Sequence, residues 1–140
     1  MAGVHFSFDN ILEVVSLNIG IADRLDTNRA ENFTLLFCDF TGLEQTVIRS
    51  CLENVLRQSD AIANYQKHYF FILPYTDQYG ATIVKGMFEE FFDSFIPSAL
   101  ASYPLNGEQP CELFESLQAS AKKLHNINLD CFDAICPSPM

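Results

Sequence analysis

Only a few residues of this chain have types and spacings that could perform chemistry. Arg57 and Asp60 lie three positions apart, and such a pair can bind a phosphate through its guanidinium and a base N–H through its carboxylate. Asp39 has no acidic neighbour, so we interpret it as a strand-end residue that hydrogen-bonds a turn rather than as a metal ligand. His5 and His125 lack metal-ligand spacing. No Ser, Cys or Lys lies in a known nucleophile motif.

The apolar pattern predicts the elements that position these residues. The polar stretch 66–68 separates two apolar runs, which is typical of a β-hairpin. Residues 33–40 are apolar nearly throughout, as in a central strand covered on both faces. Helical periodicity and turn signals predict, in order, a helix at 8–28, a strand at 33–40, a helix at 43–58, the hairpin at 61–73, a helix capped by Asp77, a strand at 95–103 and a helix at 110–124. Pro97 predicts an edge position or a bulge for the last strand. This order predicts one α/β or α+β domain over residues 1–140.

The region around residues 88–95 has more aromatic residues than one helix can bury. Phe88, Phe91, Phe92 and Phe95 cannot all point inward from one helix, so some exposed apolar surface is expected. Such surface often marks a protein interface. We also interpret the amphipathic helix at 8–28 as a packing or dimerisation helix.

Composition disfavours several classes of partner. The chain has 140 residues, is 49% hydrophobic and carries a formal net charge of −10. This charge opposes binding to the phosphate backbone of nucleic acids and to anionic membranes. No apolar stretch reaches the roughly 18 residues of a spanning helix, and the N-terminus lacks the basic and apolar regions of a signal peptide. We therefore expect a cytoplasmic protein with no nucleic acid partner and no membrane insertion.

The five cysteines form an odd set without a CxxC pair: Cys38, Cys51, Cys111, Cys131 and Cys136. This set favours reduced thiols used as small apolar residues over a disulfide framework or a zinc site. Cys131 and Cys136 could face each other across a turn. That pairing is the minor alternative, because the C-terminal tail, residues 127–140, is expected to be exposed and to fray from residue 130 onward.

Five segments resemble, in order and spacing, the GGDEF domain of bacterial diguanylate cyclases, which make cyclic di-GMP from two GTP molecules. Residues 34–39 resemble its first strand, which ends in a metal-binding aspartate, and residues 56–65 its LRxSDxxxRY segment. Residues 71–77 resemble its vxLPxTD segment, residues 101–104 its AxYP and residues 112–122 its EL...AK close. The resemblance covers residues 33–126. It implies an α/β (α+β) fold with a central, mostly antiparallel sheet of about four to five strands flanked by helices.

The chain departs from this family at the positions that carry its chemistry. The positions of the Gly-Gly-Asp/Glu-Glu-Phe signature hold Gln66, Lys67, His68, Tyr69 and Phe70. In the family the glycines let the backbone approach GTP and the acidic pair holds magnesium, so neither role is expected here. Only eighteen positions separate Asp39 from Arg57, so the family's guanine-binding helix and loop are expected to be missing.

These departures predict a protein that is not an enzyme and needs no cofactor or metal. We expect a degenerate GGDEF-like signalling or scaffold module that binds a protein partner or associates with itself. Lys67 and His68 are interpreted as part of a solvated turn rather than as an electropositive tip. An enzyme of another reaction on the same fold is a further hypothesis, but the sequence offers no acid or metal constellation for it.

The alternative is a cyclic di-GMP receptor. Arg57 and Asp60 match the family's RxxD inhibitory site, which binds cyclic di-GMP, and they precede the degenerate turn as that site does. A structural interpretation competes with this one, because Arg57 in a last helical turn complements the helix dipole and Ser59-Asp60 suits a turn. Asn64 stands where the family often has a further arginine, which removes a phosphate contact.

Overall fold

The computed structural model describes residues 3–25 and 31–136, which fold around one five-stranded sheet. The strands are β1 Val4–His5, β2 Glu31–Asp39, β3 Ala61–Tyr65, β4 His68–Pro74 and β5 Ser98–Pro104. They lie in the order β1-β3-β4-β2-β5, and only the β1–β3 pair is parallel. The helices are α1 Ile11–Leu25, α2 Gln45–Val55, α3 Gln78–Phe92 and α4 Pro110–His125, with 3₁₀ turns at Phe8–Asn10 and Asp130–Phe132. The predicted α+β fold with a mostly antiparallel sheet is confirmed.

The long apolar run of β2 makes it an interior strand. Every residue from 33 to 38 is buried. Because side chains of a strand alternate between the two faces, Leu35 and Phe37 pack in one core, and Leu36 and Cys38 in the other. The neighbouring β4 is buried in the same way. The sequence prediction of a central strand covered on both faces is therefore confirmed.

Helices cover both faces of the sheet. On one face α1, α4 and the second 3₁₀ turn contribute Val15, Leu117 and Phe132 to the core. On the other face α2 and α3 contribute Ile48 and Phe88. Across residues 3–25 and 31–136, every helix falls short of the length and apolar character that a membrane crossing requires.

Helix caps and element bounds follow the sequence with small shifts. Asp77 caps α3, as predicted, by accepting a hydrogen bond from the Gly80 N–H at 2.8 Å. Ser7 caps the 3₁₀ turn that precedes α1, and residues 26–28 of the predicted first helix lie outside the described residues. Pro97, which has no N–H to donate, immediately precedes β5, and β5 is an edge strand as predicted. The strand β1 was not predicted, because two residues are too few to show an alternating pattern.

The C-terminal tail departs most from its prediction. We expected it to be exposed and to fray from residue 130, yet Leu129 and Phe132 are 2% and 1% exposed. The Phe132 ring stacks on Phe114 with centroids 4.6 Å apart. Two large apolar side chains on a short irregular segment form no periodic pattern, so the sequence did not reveal this packing. Residues 137–140 of the tail lie outside the described residues.

The cysteine prediction is wrong for one pair. Cys111 and Cys136 form a disulfide, with Cα atoms 5.8 Å apart, so neither the all-reduced set nor a Cys131–Cys136 pair is correct. The tail folds back on α4 and brings together two residues that are 25 positions apart, which sequence spacing cannot show. Cys38 and Cys51 are buried free thiols, as predicted. Burial raises the pKa of Cys51 to about 12 and the pKa of Cys38 well above its ordinary value, so neither supplies a thiolate at neutral pH.

Candidate functional site

The turn between β3 and β4 holds the first two signature positions. Gln66 is exposed and has a left-handed backbone conformation, with φ 55°, and its carbonyl accepts a hydrogen bond from the Asn64 amide at 2.8 Å. Lys67 is tied to the loop between β2 and α2, residues 40–44. Its Nζ donates to the Leu43 carbonyl at 2.6 Å, and its own carbonyl accepts from the Phe40 N–H at 2.9 Å. Lys67 and His68 were predicted to belong to a solvated turn, but Lys67 is bonded to this loop and His68 is the first residue of β4.

Asp39 and His68 face each other across the β2–β4 ladder, at the end of β2. The His68 Nε2 lies 3.8 Å from the Asp39 Oδ1. That oxygen already accepts hydrogen bonds from the Thr41 N–H at 3.0 Å and the Thr41 hydroxyl at 2.5 Å. Asp39 therefore hydrogen-bonds the following turn, as the sequence predicted.

These residues do not fit a magnesium site. Magnesium prefers several oxygen ligands in octahedral geometry, whereas here one carboxylate, already engaged by Thr41, faces an imidazole. Within residues 3–25 and 31–136, no three His, Cys, Asp or Glu side chains come together as metal ligands. The signature turn thus offers no donor set for the metal that the family resemblance implies.

The last two signature positions belong to the core. Tyr69 is 2% exposed and its hydroxyl accepts a hydrogen bond from the Gln45 side chain at 3.0 Å. Phe70 is 3% exposed and packs on Phe132 and Phe8, with ring centroids 5.0 and 5.3 Å away. Phe70 therefore faces the core, as the sequence analysis assumed. The position that carries the second acidic residue of the family signature holds a buried phenol.

The structure brings Arg57 and Asp60 together, but they bind each other. One Asp60 oxygen accepts from the Arg57 guanidinium at 2.9 Å and the other from the Arg57 backbone N–H at 2.8 Å. The Asp60 side chain is 3% exposed and the Arg57 side chain 54%. The guanidinium also donates to the Pro74 carbonyl and the Thr76 hydroxyl, at 2.8 and 3.1 Å. The sequence did not reveal either partner, since Pro74 at the end of β4 and Thr76 just after it are distant from Arg57 along the chain.

The Arg57–Asp60 pair lies in an open groove with a volume of about 320 Å³. The groove lies between α3, the end of β4 and the turn before β3, and Tyr75, Asp77 and Ile83 also line it. Both Asp60 oxygens are engaged within the fold, so Asp60 has little remaining capacity to accept from a ligand. The exposed part of the Arg57 guanidinium is the group that this groove offers to an anion.

The segment between β2 and β3 contains one helix. Residues 40–60 are all described, and α2 is the only helix among them. The short distance of eighteen positions from Asp39 to Arg57 predicted this shortening. No second helix is therefore present between β2 and β3 to form a base pocket.

Comparisons with known proteins identify the fold. No protein-family model and no curated protein sequence matches the chain. Among solved structures, the GGDEF domain of YfiN (TpbB) from Pseudomonas aeruginosa matches with a TM-score of 0.67 and 14% identity, covering 84% of this chain and 88% of that one. A DGC protein from Thermotoga maritima matches with a TM-score of 0.61 and 13% identity, covering 84% and 95%.

A third match supports the same fold. A sensory box/GGDEF family protein from Caulobacter crescentus matches with a TM-score of 0.63 and 11% identity, covering 86% of this chain and 93% of that one. At these identities the similarity is one of fold. The protein has the fold of GGDEF, or diguanylate cyclase-like, domains.

Proposed function

We propose that this protein is a catalytically inactive GGDEF-like module that acts through protein–protein interaction. The observation that carries this proposal is the state of the signature turn. Tyr69 is buried and hydrogen-bonded to Gln45, and Asp39 is bonded to Thr41 without an acidic partner. Cyclisation needs a cation and carboxylates beside the attacking oxygen, and these residues supply neither.

Two further features support the absence of GTP turnover. Lys67 fills the space beside the turn with a side chain bound to the Leu43 carbonyl, where close backbone approach to GTP would need glycine. The single helix between β2 and β3 leaves no second helix there to contribute to a base pocket. These two features are independent of the missing carboxylates.

Exposed apolar side chains support the interaction part of the proposal. Leu17 and Ile21 on α1 are 63% and 47% exposed, and α3 carries further apolar residues on its surface. Apolar side chains that recur along one helix face form a continuous patch, and such patches commonly mark protein interfaces.

The test combines a turnover assay with partner capture. The purified protein is incubated with GTP and magnesium or manganese, and we expect no cyclic di-GMP and no pyrophosphate. The immobilised protein should retain a stoichiometric partner from a lysate of its source, or the protein should self-associate in light scattering. A nucleotide product that disappears in Asp39→Ala would contradict the proposal.

Cyclic di-GMP binding is the second candidate, and the half-exposed Arg57 guanidinium in the groove is the observation that favours it. Calorimetry with cyclic di-GMP at low and physiological salt, with GTP as control, tests it. Arg49→Ala provides the matched control, because Arg49 is an exposed arginine of α2 that does not line this groove. Saturable binding lost in Arg57→Ala but kept in Arg49→Ala would make the protein a receptor.

The cytoplasmic location expected from the sequence stays a prediction. The Cys111–Cys136 disulfide opposes it, because disulfides persist mainly in oxidising compartments. Alkylating the thiols of the protein inside intact cells and counting the labels tests it. A cytoplasmic protein should label at Cys111 and Cys136, whereas an intact disulfide would indicate another compartment.

A further inference from the structure

One side of α3 carries four exposed apolar residues, which we call the α3 stripe: Tyr79, Ile83, Met87 and Phe91. They recur every fourth position and therefore lie along one side of the helix. Their exposed fractions are 75%, 48%, 42% and 40%. At about 1.5 Å per residue the stripe is roughly 18 Å long.

The core does not account for the α3 stripe. The helix is anchored to the sheet by another set of side chains, in which Ala81 and Phe88 are fully buried and Val84 and Phe92 partly buried. The helix is therefore apolar on a second side that the core leaves exposed. A helix that only covers a sheet would carry polar residues there.

The α3 stripe borders a groove on the side of α2. Met87 and Phe91 line it together with Val55 of α2 and Glu90, and its volume is about 300 Å³. Closer to the start of α3, Ile83 lines the neighbouring groove that contains the Arg57–Asp60 pair. Three of the four stripe residues therefore border two grooves beside α3, which together we call the channel.

The charges around this channel are acidic. Glu90 lines the groove, and Asp77 and Asp93 are exposed at the two ends of α3. Lys85, the only cationic residue of α3, lies 3.4 Å from Glu89 and over the Phe95 ring. Arg57 forms an ion pair with Asp60, so the two together add no net charge. The channel therefore combines apolar surface with negative charge, in a chain whose net charge is −10.

We propose that the α3 stripe is a docking surface for a basic, amphipathic helix of a partner protein. This inference rests on the proposed function and specifies its partner. Apolar residues of the partner helix, spaced three or four apart, would pack between the stripe and Val55, and flanking Lys or Arg residues would face Glu90, Asp77 and Asp93. A second copy of this chain would bring the same acidic groups together, which disfavours self-association through this face.

The probe is a synthetic helical peptide of about five turns with Leu on one face and Lys beside it. Calorimetry with the full chain should show saturable one-to-one binding that weakens several-fold as salt rises. Two control peptides should not bind: one in which Glu replaces each Lys, and one of the same composition with Leu spread around the helix.

Variants locate the binding surface. Replacing two half-exposed stripe residues, in Ile83→Ser with Met87→Ser, should weaken binding about 30-fold, which corresponds to about 2 kcal/mol. Glu90→Gln should weaken it about threefold. Leu124→Ser is the matched control, because Leu124 is an exposed apolar residue of α4, a helix on the other face of the sheet, and it should leave binding unchanged. Circular dichroism checks that each variant is folded.

The outcomes separate this inference from the proposed function. Absence of binding, or equal loss in Leu124→Ser, overturns the docking surface. If light scattering shows a dimer of the wild type that is monomeric in the double serine variant, the stripe binds a second copy of this chain. That result also overturns the docking surface for a partner helix. In both cases the proposed function stands as long as no nucleotide turns over. Turnover of GTP would instead overturn the proposed function.

Discussion

The choice between a structural and a ligand-binding role for Arg57 and Asp60 can be decided by measuring stability. Asp60 is buried, and both of its oxygens accept hydrogen bonds from Arg57. We expect Asp60→Ala to lower the free energy of unfolding by about 3 kcal/mol. This value is at the lower end of the losses measured when one partner of a buried ion pair is removed, because Arg57 is half-exposed. Part of this loss arises because the Arg57 backbone N–H, just after α2, is left without its acceptor.

Other substitutions at the pair should cost less. Arg57→Ala leaves Asp60 with one hydrogen bond and removes the donors to Pro74 and Thr76, so we expect a loss of about 2 kcal/mol. Asp60→Asn keeps an acceptor for the backbone N–H and should cost about 1 kcal/mol. The double alanine variant should be less destabilised than the sum of the single variants, with a coupling energy of about 1 kcal/mol or more.

Urea unfolding at neutral pH, followed by circular dichroism, measures these differences from the midpoint at constant m-value. The reasoning would be refuted if Asp60→Ala and Arg57→Ala both had free energies of unfolding within about 0.5 kcal/mol of the wild type. Asp60 would then be free to receive a ligand, which favours the receptor. Large and coupled losses of stability would instead support the structural role. In that case, failure of Arg57→Ala to bind cyclic di-GMP is informative only after this variant has been shown to be folded.

Three further predictions test other parts of the structure. Phe132→Ala should lower the free energy of unfolding by about 4 kcal/mol in urea, because this buried ring stacks in the core; a small effect would mean that the tail is frayed. Cys111→Ser with Cys136→Ser should cost about 3 kcal/mol, reductant should have the same effect on the wild type, and an unchanged midpoint would contradict the disulfide. Burial and the hydrogen bond to the Asp23 carboxylate raise the pKa of Tyr103 to about 12. Its neutral form is thus favoured in the folded state, so this stability is complete below pH 10 and is lost as pH rises toward 12. Tyrosinate absorbance should show a late-titrating component that is missing in Tyr103→Phe.

The sequence predicted the fold well wherever local patterns decide structure. The apolar run of β2 and the polar break of the hairpin each reflect a burial pattern that repeats within one element. The cap of α3 depends only on a side chain reaching a backbone N–H three positions away. The order and type of these elements therefore followed from short windows of sequence.

Features that depend on distant contacts could not be predicted in this way. The Cys111–Cys136 disulfide and the burial of Phe132 result from the tail folding back across α4. The same holds for the candidate site. The spacing of Arg57 and Asp60 suggested a ligand pair, but their shared hydrogen bonds, and the donation of Arg57 to Pro74, depend on how α2 and β4 meet. The sequence alone does not show whether the hydrogen-bonding groups of such a pair are already used within the fold.

Two of the residues that replace the family signature, Lys67 and Tyr69, have the same structural role. Lys67 bonds the Leu43 carbonyl, and Tyr69 accepts from Gln45, so both side chains fasten the hairpin to the start of α2. Glycine at position 67 and glutamate at position 69 would remove these contacts, and the glutamate would place a charge at a site that is 2% exposed. The turn thus contributes to the stability of this fold through the same positions at which the family carries its chemistry. Substitutions at these positions should be judged first by their effect on folding.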